Sequence, residues 1–131
     1  MQDNLGDRMK GYENITRYHL PRRTYSMLRI DGKAFKTFTR GLKKPFDDGF
    51  INDMDETACF LCKNIQGAKF AFVQSDEISI LLTDFETIQT DAWFDGNVQK
   101  MASVSASIAT AQFNYLRMQR YFCGPEYKAN S

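Results

Sequence analysis

Three acidic residues stand where a strand and a hairpin would bring them together. The alternating apolar pattern from Tyr25 to Ile30 predicts a strand, and this strand stops at Asp31 and Gly32, a typical turn pair. Asp76 and Glu77 lie in a short link between two further apolar runs. Carboxylate oxygens are the ligands that Mg²⁺ takes, usually shared with substrate phosphates. Two carboxylates that hold two such ions would activate an attacking oxygen and stabilise a leaving pyrophosphate.

The same residues also have a purely structural interpretation. An aspartate at a strand end followed by glycine is most often only a turn, and acidic hairpin tips are common. Gly32 allows a tight turn, which would bring its carbonyl or a neighbouring N–H close to a phosphate. On these residues alone, both a turn and a metal site stay open.

A basic segment follows the first predicted strand. Five cations lie within the twelve residues from 33 to 44, and lysine ammonium groups act as point charges for phosphates. For Phe35 and Phe38, packing in the core is favoured over stacking on a base. Lys44 precedes Pro45 at the start of a predicted helix, so a phosphate contact and a structural role are equally open for it.

The two cysteines of a CxxC pair favour a structural role. Helical periodicity places Cys62 at the edge of an apolar stripe and Cys59 on the opposite face. Because His19 is the single histidine, a zinc site would lack ligands.

The elements that must position these groups follow the order β-α-β-β-α. The clearest helix is predicted from Asp47 to Gln66, with one apolar stripe and Gly67 as its stop. A second long helix is predicted from about Asp95, and its many small residues would let it lie close to a neighbour. The remaining predicted elements are two strands, Ala68 to Gln74 and Ile78 to Thr83, and a short helix from Asp7 to Tyr18.

This order predicts an α+β fold of the ferredoxin-like type, an antiparallel sheet with helices on one face that lacks its last strand. In such a sheet the end of the first strand lies beside the hairpin between the second and third. We therefore expect Asp31 to lie close to Asp76 and Glu77.

Composition and charge narrow the class of protein. The chain has 131 residues, 43% of them hydrophobic and 25% charged, which excludes intrinsic disorder. No apolar run reaches the roughly 18 residues of a membrane span. The net charge is +1, with +5 in residues 1–50 and −4 in residues 51–131, which suggests a polyanionic partner for the first half. Three cysteines at odd spacing indicate a reduced, cytoplasmic protein.

Several segments together closely resemble the tRNA(His) guanylyltransferase family, and within it the bacterial and phage-type Thg1-like branch. The pairing of Arg-Ile-Asp-Gly with Gln-Ser-Asp-Glu is specific, and the resemblance covers nearly the whole chain. The segments that carry it are Arg29 to Phe35, Lys44-Pro45, Gln74 to Ser79, and Trp93-Phe94 ahead of Lys100.

The resemblance implies a polymerase-palm domain and a role for individual residues. It implies catalysis by Asp31, Asp76 and Glu77, and two Mg²⁺ ions held by Asp31, the Gly32 carbonyl and Asp76. The residues that it implies for nucleotide binding are Asp31, Gly32, Lys33, Ala34, Phe35, Lys36, Lys44, Asp47, Ser75, Asp76 and Lys100.

The implied reaction is nucleotidyl transfer to the 5′ end of tRNA in the 3′-to-5′ direction. The 3′-hydroxyl of GTP or another NTP attacks an activated 5′ end, and ATP first activates a 5′-monophosphate. The reaction would either add a guanosine to the 5′ end of tRNA(His) or repair 5′-truncated tRNA against a template. The family also implies a homo-oligomer, a dimer or tetramer.

Two departures from the family accompany the resemblance. The family's chain is about twice as long, so residues 1–131 are expected to be its N-terminal, palm-like catalytic domain, without the segment that supplies the fourth strand. Gly96 and Asn97 stand where relatives carry basic residues, so a second nucleotide site is expected to differ.

The competing class is a non-catalytic RNA-binding module of the RRM type, which shares this topology and needs exposed aromatic residues on its central strands.

Overall fold

The computed structural model of this protein describes residues 4–33 and 47–123. The predicted order β-α-β-β-α is confirmed in these residues, with one further helix in front of it. The elements are α1 (Leu5–Ile15), β1 (Ser26–Asp31), α2 (Asp48–Asn64), β2 (Ala68–Gln74), β3 (Glu77–Leu82) and α3 (Val98–Cys123).

The three strands form one antiparallel sheet in the order β1-β3-β2. Ile78, Ile80 and Leu82 of the central strand share one face and are buried, as their alternation predicted. Burial of one such side chain stabilises the fold by about 1.5–3 kcal/mol. Both long helices pack on this face, so the α+β prediction of one sheet with helices on one side is confirmed.

Helix α2 forms where the apolar stripe predicted it. The Asp47 side chain caps its first turn by accepting a hydrogen bond from the Phe50 N–H at 2.9 Å. Met54 and Leu61 are buried against the sheet. The chain then turns at Gly67, whose φ of +84° is left-handed, and a Cβ there would lie 2.4 Å from a backbone carbonyl oxygen. Glycine is therefore required at this stop.

Helix α3 packs on α2 and on β1. Of its run of small residues, Ser105 and Ala109 are buried, together with the larger Met101 and Phe113. The predicted start near Asp95 is wrong, because Phe94, Asp95 and Gly96 all have left-handed φ values, +50°, +53° and +72°. Residues Trp93–Gly96 form a short left-handed turn instead, closed by hydrogen bonds from the Asp95 N–H to the Ala92 carbonyl and from the Asn97 N–H to the Phe94 carbonyl.

Helix α1 stands apart from the rest of the described chain. It runs from Leu5 to Ile15 rather than from Asp7 to Tyr18, buries no residue and packs on no other described element. Its apolar side chains are all exposed: Leu5, Met9, Tyr12 and Ile15.

The segment after α1 is held to the body of the fold by an aspartate. The buried Asp84 carboxylate accepts hydrogen bonds from the Arg22 Nε at 2.8 Å and the Arg23 N–H at 3.0 Å. These bonds hold the pKa of the Asp84 carboxyl below its usual range, the backbone bond from Arg23 being the largest cause. Arg22 is therefore occupied within the fold.

Candidate functional site

The C-terminal end of β1 meets the turn between β2 and β3. Asp31 is paired with Glu77 across the sheet, and the Gly32 N–H donates a 3.1 Å hydrogen bond to the carbonyl oxygen of Asp76. The structure therefore brings together the three acidic residues that the sequence singled out.

The turn itself is tight and has an unusual backbone. Only Ser75 and Asp76 separate the two strands. Ser75 has a φ of +55°, in the left-handed region that non-glycine residues rarely adopt. Its side chain is exposed at the tip. This conformation places the Asp76 carbonyl so that it faces the Gly32 N–H.

A cavity of about 310 Å³ opens beside this junction. Asp31, Gly32, Lys33 and Asp76 form one side of it. The other walls come from the sheet and both long helices, and the residues that form them are Ile30, Ile78, Met54, Thr57, Ala109, Thr110, Phe113 and Asn114. The site is therefore an apolar pocket with two carboxylates and a lysine on one side, the usual composition of a small-ligand site.

The donors at this edge fit Mg²⁺. Mg²⁺ is commonly bound by only one or two protein carboxylates together with substrate phosphates and water. Asp31 and Asp76 supply two carboxylates, and Gly32 supplies a backbone carbonyl. Within residues 4–33 and 47–123 there is no cluster of three or more His, Cys, Asp or Glu side chains arranged for a metal. The fit therefore depends on phosphate oxygens as further ligands.

Glu77 has a different environment from the two aspartates. Its Oε2 accepts hydrogen bonds from Arg29, at 3.1 Å from Nε and 2.5 Å from the terminal nitrogen. This bond raises the pKa of the Arg29 guanidinium. Glu77 does not line the cavity. The geometry gives Glu77 the task of holding Arg29 across the open face of the sheet.

The other predicted nucleotide contacts are distributed more widely. Asp47 is the N-cap of α2, as described above. Lys100 lies in the first turn of α3, with its Nζ 5.8 Å from the centre of the Phe94 ring, and does not line the cavity. Ala34, Phe35, Lys36 and Lys44 lie outside the described residues.

Gly96 and Asn97, which the resemblance marked as a departure from the family, have structural roles here. The Gly96 carbonyl accepts a 2.9 Å hydrogen bond from the Leu20 N–H. The Asn97 side chain accepts a bond from the Lys100 N–H at 3.2 Å and caps α3. The Val98 N–H donates to the Tyr18 carbonyl at 3.0 Å. This region thus anchors the N-terminal segment.

Sequence reasoning missed the polar residues on the helix side of the cavity. Thr110 and Asn114 are four residues apart on α3 and therefore share one face. That spacing was visible in the sequence, but nothing local showed that this face would meet the end of β1. It also missed a buried carboxylate, Asp53 on α2, which accepts hydrogen bonds from Arg117 and Arg120 of α3.

Fold and site together define an α+β domain of the palm type with an apolar pocket beside two acidic residues. A family model described as tRNAHis guanylyltransferase matches residues 6–130. The chain belongs to this family. Structures of a bacterial tRNA(His) guanylyltransferase (Thg1)-like protein in complex with GTP and with ATP are each 50% identical to it, with TM-scores of 0.86. They are matched over 89% and 92% of this chain. A probable tRNA(His) guanylyltransferase of Dictyostelium discoideum is 31% identical over 123 residues, 89% of this chain.

The chain spans about half the length of these relatives. It covers 54% and 52% of the two bacterial chains and 46% of the Dictyostelium protein. No helix in the described part of the chain is long and apolar enough to cross a membrane.

Proposed function

We propose that residues 1–131 form the palm-like catalytic domain of a tRNA 5′-end nucleotidyltransferase that adds nucleotides in the 3′-to-5′ direction. One observation carries the proposal: Asp31 and Asp76 line the same cavity. The hydrogen bond from the Gly32 N–H to the Asp76 carbonyl holds the end of β1 against the turn that carries Asp76. Membership of the family supports the reaction class.

In this proposal the residues around the cavity bind and orient the triphosphate. Asp31, Asp76 and the Gly32 carbonyl would hold two Mg²⁺ ions, which would supply the activation of the attacking 3′-hydroxyl and the charge stabilisation of the leaving pyrophosphate. Lys33 offers a positive charge to the phosphates from the same side. The apolar walls exclude water around the nucleoside. Glu77 acts by positioning Arg29, and Lys100 is proposed as a nucleotide contact outside the cavity.

The substrates proposed are GTP or other NTPs, ATP for activation of a 5′-monophosphate, and tRNA. The bacterial relatives solved with GTP and with ATP support a site that accepts both purines. The reaction would extend tRNA(His) or repair truncated tRNA against a template.

We also propose a cytoplasmic homo-oligomer, a dimer or tetramer. The exposed apolar side chains of α1 support this, because an isolated helix of 11 residues is only marginally stable in water. Sedimentation velocity at several protein concentrations tests it, and a monomer at all of them would contradict it.

The test of the proposed site is calorimetric titration of GTP with and without Mg²⁺. Wild-type protein should bind in a Mg²⁺-dependent manner, and Asp31→Ala and Asp76→Ala should each lose that binding while keeping the wild-type circular dichroism spectrum. Asp55→Ala removes an exposed carboxylate of α2 away from the cavity and should bind as the wild type does.

The RRM-type alternative makes a different prediction for the same titration. Phe70 and Phe72 are exposed on the open face of the sheet, but they belong to β2 at its edge. The central strand carries Glu77, Ser79 and Leu81 on that face instead. RNA binding that is indifferent to Mg²⁺ and to the loss of Asp31 would favour the alternative.

A further inference from the structure

The cavity beside Asp31 has two chemically different sides. The side formed by Asp31, Gly32, Lys33 and Asp76 is charged and suits a triphosphate with its metal ions. The side formed by α3 has no charged residue and carries a hydroxyl and an amide, those of Thr110 and Asn114. A ligand with a polyanionic end and a flat, polar-edged end would match both.

The amide on the α3 side is free to bind a ligand. Neither Asn114 nor Thr110 makes a side-chain hydrogen bond to another described residue. Both are exposed, whereas the Phe113 ring between them is buried. Thr57 on the opposite wall, by contrast, already donates to the Asp53 carbonyl at 2.7 Å. The unused hydrogen-bonding groups of this wall are therefore concentrated on one turn of α3.

The dimensions of the cavity limit its occupant. Its volume of about 310 Å³ is at the lower end of the roughly 300–1,000 Å³ of small-ligand pockets. It therefore suits one nucleoside rather than a base pair. Ile30, Met54, Ile78 and Phe113 supply apolar walls against which a base can pack.

We propose that this cavity holds the base of the nucleoside triphosphate and that Asn114 is a specificity-determining residue that contacts its Watson–Crick edge. This inference rests on the proposed function. Guanine presents the N1–H donor beside the O6 acceptor, and adenine presents the N6–H donor beside the N1 acceptor. A carboxamide has one donor group and one acceptor and pairs with either base after rotation by half a turn. Asn114 therefore makes the site permissive between the two purines.

The substitution Asn114→Asp turns this permissive group into a selective one. A carboxylate only accepts hydrogen bonds, so it can pair with the adjacent N1–H and N2–H donors of guanine. Against adenine it meets one donor and one lone pair. A bidentate contact of this kind discriminates by about 1–3 kcal/mol, so we expect the ratio of Kd for ATP to Kd for GTP to rise at least about fivefold.

The matched control is Gln112→Glu, which adds the same charge to the same helix at a position that does not line the cavity. An added negative charge weakens the binding of both nucleotides, so the readout is the ratio of Kd for ATP to Kd for GTP. Gln112→Glu should leave that ratio at the wild-type value. An equal effect of Asn114→Asp on ATP and GTP would overturn the inference.

A second variant separates base contacts from phosphate contacts. Asn114→Ala should weaken GTP and ATP binding several-fold while leaving the affinity for Mg²⁺–tripolyphosphate unchanged. If Asn114→Ala leaves nucleotide binding intact, the role of Asn114 is refuted, although binding that still depends on Mg²⁺ and Asp31 would leave the proposed function standing. Both proposals fail if the wild type binds tripolyphosphate and nucleotides equally well without Mg²⁺, and if the Asp31→Ala variant binds them as the wild type does.

Discussion

Replacement of Asp53 by asparagine tests the contact that joins α2 to α3 behind the cavity. The Asp53 side chain is 1% exposed, and its carboxylate accepts bonds of 3.0 Å from Arg117 and of 3.1 and 2.6 Å from Arg120. These bonds raise the pKa of the Arg120 guanidinium. Asparagine has nearly the same shape but removes the negative charge and turns one acceptor into a donor that faces the two cations.

The magnitude follows from burial. Removing one partner of a buried ion pair costs about 3–5 kcal/mol, because the charge left behind stays desolvated. Arg117 is 8% exposed in its side chain, so water does not replace the lost carboxylate. A chain of this length has a total stability of roughly 7–20 kcal/mol. At roughly 3–5 °C per kcal/mol, we expect Asp53→Asn to lower Tm by about 10–25 °C.

Urea unfolding followed by circular dichroism measures the effect on the free energy of unfolding. The slope against denaturant should stay constant, because the surface exposed on unfolding is the same. Asp55→Asn removes an exposed charge two residues away on the same helix and should change stability by no more than about 0.5 kcal/mol. A loss below about 1 kcal/mol for Asp53→Asn would refute the reasoning. A double-mutant cycle with Arg120→Gln should show coupling between the two sites.

Three further predictions concern stability. The Arg23 N–H and the Arg22 guanidinium lower the pKa of Asp84. The ionised Asp84 therefore stabilises the fold above the ordinary carboxyl pKa of about 3.9, and this contribution is lost as pH falls through the lowered pKa. Asp84→Asn should make the free energy of unfolding, measured by urea between pH 6 and pH 2, fall less steeply with acidification than in the wild type. Gly67→Ala should destabilise by more than about 1 kcal/mol, since its Cβ would lie 2.4 Å from a carbonyl oxygen, whereas Gly11→Ala, with open space around it, should be neutral or stabilising in the same assay. Leu61→Ala should lower the free energy of unfolding by about 2–5 kcal/mol, because the side chain is 0% exposed; a smaller loss would mean that the core collapses around the site.

The order of elements was predictable because it depends on periodicity within short segments. Alternation in β3 and the apolar stripe of α2 identified both elements and their buried faces. The start of α3 was not predictable in the same way. Its left-handed turn is stabilised by hydrogen bonds from the Leu20 N–H to the Gly96 carbonyl and from the Val98 N–H to the Tyr18 carbonyl, which join residues more than seventy positions apart.

For the candidate site, local patterns were enough to show which acidic residues stand at strand ends and turns, and hence to predict that Asp31 lies beside the hairpin at Asp76. Which residues face this pair depends on how distant segments pack. Asn114 lines the same cavity, and Glu77 is paired with Arg29 outside it. The physical reason is that helix and strand periodicities fix which side chains share a face, whereas the surface opposite that face is set by the packing of distant segments.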